Sequence, residues 1–263
     1  MTRNIPNLSS SDLNTLLSVG IQAATAAGKE IVAVYNSNDF QTQHKVDKSP
    51  VTIADRRAHD VISNYLGSTN LPVLSEEGKN IPYEERQHWK YFWMVDPLDG
   101  TKEFLKRNGE FTVNIALLKD NTPVLGIVTV PLTGEIYHAT KGQGAFFRSN
   151  EHDVRLVERK SADLNQRGIR VVASRSHMNE ATAQFIQKLN EPQLVTAGSS
   201  LKFIAVAKGE ADIYPRYIPC MEWDTAAADV IVREVGLSIL DAEHHIPLQY
   251  NKENLMNPFF ICS

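Results

Sequence analysis

Apolar residues return every three or four positions from Leu13 through Leu16, Leu17, Ile21, Ala24, Ala27 and Ile31 to Val34. That interval puts them on one stripe of a long amphipathic helix, with Ser10 and Ser11 ahead of it as candidate caps. The alanines in the stripe predict close packing. A polar stretch follows and ends in HKVDKSPVTIAD, where Pro50 biases Ser49 away from helix. A second helix is predicted from Thr52 to Leu66, with Ala58, Val61, Ile62 and Leu66 facing inward.

The pattern then becomes that of strands. Val73 and Leu74 form a short one ending at Ser75-Glu76-Glu77, and YFWMV forms another ending at Asp96. FTVNIALLKD, TPVLGIVTVP and GEIYHAT follow with turn residues between them, which predicts a substantially antiparallel sheet in the first half. Arg148 to Gly168 is charged and weakly periodic, with room for a short strand around Val154 to Val157 and then a join between lobes. Beyond it, IRVVAS, a helix from about Asn179 to Leu189, QLVTA, a helix from about Ser200 to Lys208, and ADIYP alternate strand with helix. A last helix runs from Asp224 to about Val235 and stops at Gly236, a candidate C-cap. The expected fold class is α/β in the mixed α+β sense, with an N-terminal lobe over residues 1–160 and a layered α/β lobe over 161–263.

Composition narrows the function more than the fold. At 263 residues, 42% apolar and 22% charged, the chain can bury a sizeable core, and wholesale disorder is excluded. Its formal net charge of -4 gives no footprint for a nucleic acid polymer, so an anionic ligand needs local positive charge or a metal. Cys220 and Cys262 make neither a disulfide framework nor a zinc-type spacing, and MTRNIPNLSSSD does not read as a signal peptide. No apolar run approaches the roughly 18 residues of a spanning segment. A cytoplasmic location is expected, with peripheral association at the inner membrane face left open, as is oligomeric state.

Against that background WMVDPLDGT stands out, because it runs a hydrophobic strand straight into Asp96 and Asp99. A buried carboxylate without a partner either destabilises the fold by several kcal/mol or is protonated, so two that stay charged call for cations. An Asx-type turn with Thr101 capping the next helix is the plainer alternative. Glu76 and Glu77 lie at a second strand end, Asp47 and Asp55 flank KSPVT, and Asp224 opens an alanine-rich helix. Taken singly, Glu77 reads as a solvated acid and Asp224 equally well as an N-cap. Together they form an oxygen-only ligand set that suits Mg²⁺, with Mn²⁺ as an alternative.

The ordered series KVDKSPVTIAD, LPVLSEEG, WMVDPLDGT and EWDTAAAD resembles the lithium-sensitive, magnesium-dependent phosphomonoesterases that include inositol monophosphatases, fructose bisphosphatases and bisphosphate nucleotidases. Within that superfamily, VDPLDGTKEFLKRNGEFTVNIAL, SRSH and GSSLKFIAVAKGEADIYPR resemble the bacterial CysQ-type 3'(2'),5'-bisphosphate nucleotidases. The resemblance implies a layered αβαβα sugar-phosphatase fold with an antiparallel N-terminal and a mostly parallel C-terminal sheet. It also implies a short helix before the last strand, inhibition by lithium, and removal of the 3'-phosphate of adenosine 3',5'-bisphosphate, a reaction of nucleotide metabolism and sulfur assimilation. Two or three Mg²⁺ ions would be held by Glu76, Asp96, the carbonyl of Leu98, Asp99 and Asp224. Thr101 paired with Asp47 would activate water, Asp55 would support the water network, and Glu77 would tune it.

The 5'-phosphate of such a substrate needs a site away from the metals. Gly198, Ser200 and Lys202 offer a Gly-Ser turn, helix-start amides and a cation, and Arg216 after Tyr214 offers a guanidinium fork. A solvent-facing lysine and a surface ion pair are the ordinary readings of Lys202 and Arg216. Ser174, Arg175 and His177 add a further candidate ligand turn, as explicable by a cap and a surface arginine, and Gly100 permits close approach at the metal end. Tyr214 and Trp223 serve equally as core residues or as a wall for the base. An inositol or sugar monophosphatase with the same metal centre is the enzyme alternative, and a nucleotide-binding sensor the non-enzyme one.

Overall fold

The computed structural model of the chain describes residues 7–37, 39–44, 50–173 and 179–263. Its first helix, α1 (Ser10–Ser37), buries Ile21, Ala24, Ala27, Ile31 and Val34, the stripe that the spacing predicts. β1 (Gln43–His44) and β2 (Pro50–Val51) pair antiparallel and lead into α2 (Ile53–Gly67). Thr52 caps α2: its hydroxyl accepts from Ala54 N, while Asp55 Oδ2 accepts from Thr52 N at 2.7 Å.

The main sheet follows as β3 (Val73–Ser75), then after the short helix α3 (Tyr83–Arg86) β4 (Tyr91–Asp99), and after α4 (Thr101–Leu105) β5 (Thr112–Lys119), β6 (Thr122–Val130), β7 (Glu135–Thr140), β8 (Gly144–Ser149) and β9 (His152–Arg155). These seven strands lie in sequence order; β3 and β4 run parallel and every later pair antiparallel. The YFWMV strand does not stop at Asp96 but continues to Asp99, with a register irregularity between the two aspartates. β8 has no counterpart in the hydrophobic pattern, because it is short and runs into the charged stretch. β9 is exposed along its length, so its pattern records no buried face.

The second half contributes β10 (Arg170–Ala173), α5 (Glu180–Gln187), β11 (Gln193–Thr196), α6 (Leu201–Lys208), β12 (Tyr214–Arg216), a 3-10 turn (Glu222–Asp224), α7 (Ala226–Glu234), β13 (Ile239–Asp241) and β14 (Phe260–Cys262). The expected parallel character is limited to β10 with β11 and a bridge between Val171 and Ile213, whereas β12, β14 and β13 pair antiparallel. The chain passes from β13 to β14 through residues 242–259 without a helix, and the two strands pair antiparallel. The short helix expected before this strand is likewise replaced by loop among the described residues.

Alternation along the strands explains the layering. In β4, Tyr91, Trp93 and Val95 face a cluster built with α1 and α2, while Phe92 and Met94 face a cluster built with α6 and α7. In β10, Val172 joins that second cluster and Val171 packs with Ile186 of α5. The succession is helix, sheet, helix, sheet, helix, as expected of the αβαβα arrangement. Among the described residues no helix is long and apolar enough to cross a membrane.

α7 starts with three consecutive alanines and lies against β6 so closely that a Cβ at Gly126 would come 2.0 Å from the carbonyl oxygen of Ala227. Backbone cannot yield as a side chain can, so this contact fixes how near the helix following Asp224 stands to the sheet. Gly126→Ala is expected to lower unfolding stability by about 2–3 kcal/mol, read from the midpoint of urea denaturation; an unchanged midpoint would mean that α7 withdraws freely.

Candidate active site

The end of β4 carries the first acid. Asp96 is only 2% exposed, and Leu98 N donates to its Oδ1 at 3.0 Å, turning the chain sharply over the carboxylate. Glu76 is brought alongside because its amide continues the β3 and β4 pairing, donating to Val95 O at 3.1 Å. Burial pushes the Asp96 carboxyl well above its ordinary range, and the charges of Glu76, Asp99 and Asp224 push it further the same way. These are four carboxylates drawn from three separated segments, and the topology brings them within electrostatic reach of one another.

Asp99 is held by hydroxyls. Its Oδ2 accepts from Ser199 Oγ at 2.6 Å and from Ser200 Oγ at 3.0 Å, with Asn114 Nδ2 at 3.4 Å. Ser200 Oγ also lies 3.1 Å from Asp224 O, so one serine links both acids. Thr112 extends the set, its Oγ1 lying 2.7 Å from Ser199 Oγ. Asp224 does not start a long helix; it closes the 3-10 turn, with its Oδ2 accepting from Met221 N at 3.0 Å. Burial, then Asp99, drives its carboxyl up to about 8, with Arg216 opposing.

Thr101 opens α4 behind Gly100, whose φ of 91° is the left-handed conformation that a side chain would strain. Its hydroxyl donates to Asp55 Oδ1 at 3.1 Å, with Leu98 O at 3.4 Å. Asp55 therefore serves with one oxygen as the cap of α2 and with the other as the partner of Thr101. Burial raises the Asp55 carboxyl above its usual range, with Glu77 adding to the rise and the Thr52 hydrogen bonds opposing it. Asp47, expected as the partner of Thr101, lies outside the described residues, as do Ser174, Arg175 and His177.

A cavity of about 280 Å³ opens from Asp99, Gly100 and Asp224 towards Ser200, Lys202, Tyr214 and Arg216. Lys202 is 3% exposed, donates from Nζ to Ser199 O at 2.7 Å and stands over the Tyr214 ring. Burial, then the neighbouring Arg216, lowers it to about 8. Arg216 donates from Nη1 to Tyr214 Oη at 3.0 Å and from Nη2 to Pro219 O at 3.3 Å, and its buried Nε has no hydrogen-bond partner. The solvent-facing reading of Lys202 is thereby excluded.

Other candidates are placed differently. Gly198 is a packing position, since a Cβ there would come 2.7 Å from Glu110 O. The Ser200 hydroxyl is engaged with Asp99, Asp224 and Asn114, so it faces the acids and not the cationic end. Tyr214 packs edge-on against Phe203 and Phe260, and Trp223 packs against the same core. Ser199, Thr112 and Asn114 escaped the sequence reading. Asn114 did leave a signal, an amide in the middle of the apolar strand TVNIALL, whereas the left-handed φ of 52° at Ser199 left none.

Among the described residues no three acidic, histidine or cysteine side chains close on a single point tightly enough to ligate an ion directly. The fit to a cation lies instead in charge: Asp96 and Asp224 are both driven toward protonation, first by burial and then by their acidic neighbours, and a divalent ion among them would relieve the repulsion.

Residues 12–258 match the sequence profile of the inositol monophosphatase family. The chain belongs to this family. It is 43% identical to the 3'(2'),5'-bisphosphate nucleotidase CysQ of Shigella flexneri over 247 residues, covering 92% of this chain and 97% of that protein. The same identity holds against the Escherichia coli K12 protein of that name over 246 residues, with 92% and 97% covered. The crystal structure of CysQ from Bacteroides thetaiotaomicron superposes with a TM-score of 0.84 at 43% identity, covering 95% of this chain and 97% of that one. The family and these relatives make the chain a phosphatase.

The acidic cluster has a thermodynamic signature. A carboxyl whose folded-state pKa stands near 8 in place of 3.8 binds protons in the folded state that the unfolded chain has released, so its contribution falls as pH rises across that window. In chelator, Asp224→Asn should therefore gain melting temperature relative to the parent chain between pH 5 and pH 8. A gap that stays constant with pH would mean that Asp224 carries no such strain.

Proposed function

We propose that the chain is a 3'(2'),5'-bisphosphate nucleotidase that hydrolyses the 3'-phosphate of adenosine 3',5'-bisphosphate to AMP and phosphate with the aid of Mg²⁺ or Mn²⁺. The observation that carries this reading is the lining of one cavity, which brings Asp99 and Asp224 together with Lys202 and Arg216. A substrate with two phosphates is matched to such a site if one lies with divalent cations among the acids and the other against the fixed cations. The names of the 43% identical relatives support the same substrate class.

Glu76, Asp96, Asp99 and Asp224, with the carbonyl of Leu98, would hold the metal. When bound, it supplies charge stabilisation at the phosphoryl and leaving oxygens and lowers the pKa of water. The remaining work falls to the chain. Thr101 donates its hydroxyl hydrogen to Asp55, which leaves its oxygen lone pairs free to accept from a water and orient it for in-line attack. Because Asp55 is fixed to the cap of α2, that orientation is set by the fold. The serine and asparagine donors on Asp99 fix the direction of its carboxylate. Arg216 grips the second phosphate with its guanidinium, and Lys202 adds a charge whose stem is already ordered by burial.

Asp96→Asn and Asp99→Asn are each expected to nearly abolish turnover with the circular dichroism spectrum unchanged; full activity at saturating Mg²⁺ would remove them from the centre. Arg216→Ala should raise KM for adenosine 3',5'-bisphosphate roughly 10- to 100-fold, as loss of a charged hydrogen bond implies, and should leave KM for an analogue without the 5'-phosphate little changed. Equal effects on both compounds would end the phosphate-discriminating role of Arg216.

A further inference from the structure

Glu222 lies two residues before Asp224 and has no solvent exposure at all. Its carboxylate is turned away from the acids and is fully engaged by the loop over residues 249–257. Both oxygens are taken by donors: Oε2 accepts from Asn251 N at 2.5 Å, and Oε1 accepts from Lys252 N at 3.1 Å and Lys252 Nζ at 2.5 Å. Its own amide donates to Leu255 O at 2.9 Å. On the other side of the same 3-10 turn, Asn257 Nδ2 donates to Met221 O at 2.9 Å and to Thr225 Oγ1 at 3.1 Å. The turn that presents Asp224 is thus gripped at both ends by one loop. Arg86 ties that loop to the main sheet's side of the molecule, donating to Asn251 Oδ1 at 2.7 Å and to Glu253 O at 2.8 Å.

An ion pair with one buried and one half-buried partner is weak ground for stability, since apolar residues of equal volume commonly serve as well. What it provides, and apolar packing does not, is direction, because a carboxylate with three donors fixed on it cannot rotate. A 3-10 turn of three residues has little rigidity of its own, and Asp224 is carried on its last residue. We propose that Glu222 and Lys252 are positioning residues for the reaction: their ion pair holds the short turn so that Asp224 faces the acids and not solvent. This rests on the reading of Asp224 as a metal-holding residue. In the chain it means that the loop after β13, far from the DPLDGT signature in sequence, sets the affinity of the acidic centre for a divalent cation.

The test is calorimetric titration of the whole chain with Mn²⁺ alone, alongside steady-state kinetics, for Glu222→Gln, Lys252→Met, Lys252→Arg and Asp224→Asn. Glu222→Gln and Lys252→Met should each raise the Mn²⁺ dissociation constant roughly 10-fold or more, the range typical of losing a group that orients a ligand from behind. Both should lower kcat with KM unchanged within about twofold, and Lys252→Arg, which keeps the cation, should recover most of the Mn²⁺ affinity. A merely structural loss would reduce the number of binding-competent molecules, not the affinity of those that remain folded. Mn²⁺ affinity at the parent value in folded Glu222→Gln and Lys252→Met, with Asp224→Asn impaired, would overturn the positioning role while leaving Asp224 in place. Parent affinity in Asp224→Asn would overturn the reading of Asp224 and this inference with it. If one of the two ion-pair variants does not fold, the other decides; failure of both to fold would overturn the proposal, because the pair would then be holding the whole chain and not one turn.

Discussion

Concentrated negative charge in a place with little water is the constraint around which this molecule is arranged. Asp96 is buried and Asp224 half-buried, with Glu76 and Asp99 beside them, and the neighbouring acids make both harder to ionise. Such a cluster would fly apart on a flexible scaffold. Here the acids stand at or near the ends of elements, and three are tied by polar contacts: Asp96 by the amide of Leu98, Asp99 by two serines and an asparagine, and Asp224 by the amide of Met221. The repulsion is contained by directional hydrogen bonds, which leaves charge for a divalent ion to satisfy.

The fold supplies those anchor points through the ends of a twisted sheet and the helices packed on it. β4 carries two of the acids because it continues past Asp96, and its parallel neighbour β3 delivers Glu76 to the same edge. α7 approaches β6 over alanines and Gly126 so closely that the turn preceding it lies over the end of β4. α6 starts at the serines that hold Asp99 and carries Lys202 on its first turn. The acids and cations that line the cavity thus come from elements whose spacing is set by core packing.

Much of the candidate site was legible because its residues interrupt an otherwise regular pattern. Asp96 and Asp99 break a hydrophobic strand, Glu76 ends another, and Gly100 marks the turn between them. Asn114 broke a strand in the same manner and would have been found by the same rule. Ser199 gave no such sign, since serine in a Gly-Ser turn is ordinary until its hydroxyl is seen on Asp99. The parallel pairing that the resemblance implied for the C-terminal sheet holds for β10 with β11, while the antiparallel seat of β14 between β12 and β13 is recorded only by its partners.

The sequence by itself determined where the helices and most of the strands lie, because burial of one face imposes a period of about 3.6 or 2 residues that can be counted. It also pointed to an oxygen-only ligand set suited to Mg²⁺ or Mn²⁺, because acids and a hydroxyl without cysteine or histidine spacing favour hard cations, while the phosphatase chemistry came from the family resemblance. Tertiary structure decided which of these groups meet. Thr101 faces Asp55, Ser200 turns toward Asp99, and Glu222 is spent on Lys252, although spacing along the chain favours none of these pairings. Contact between distant residues depends on how elements cross and how nearly their backbones approach, and those quantities come from the packing of the whole core, which has no period to read.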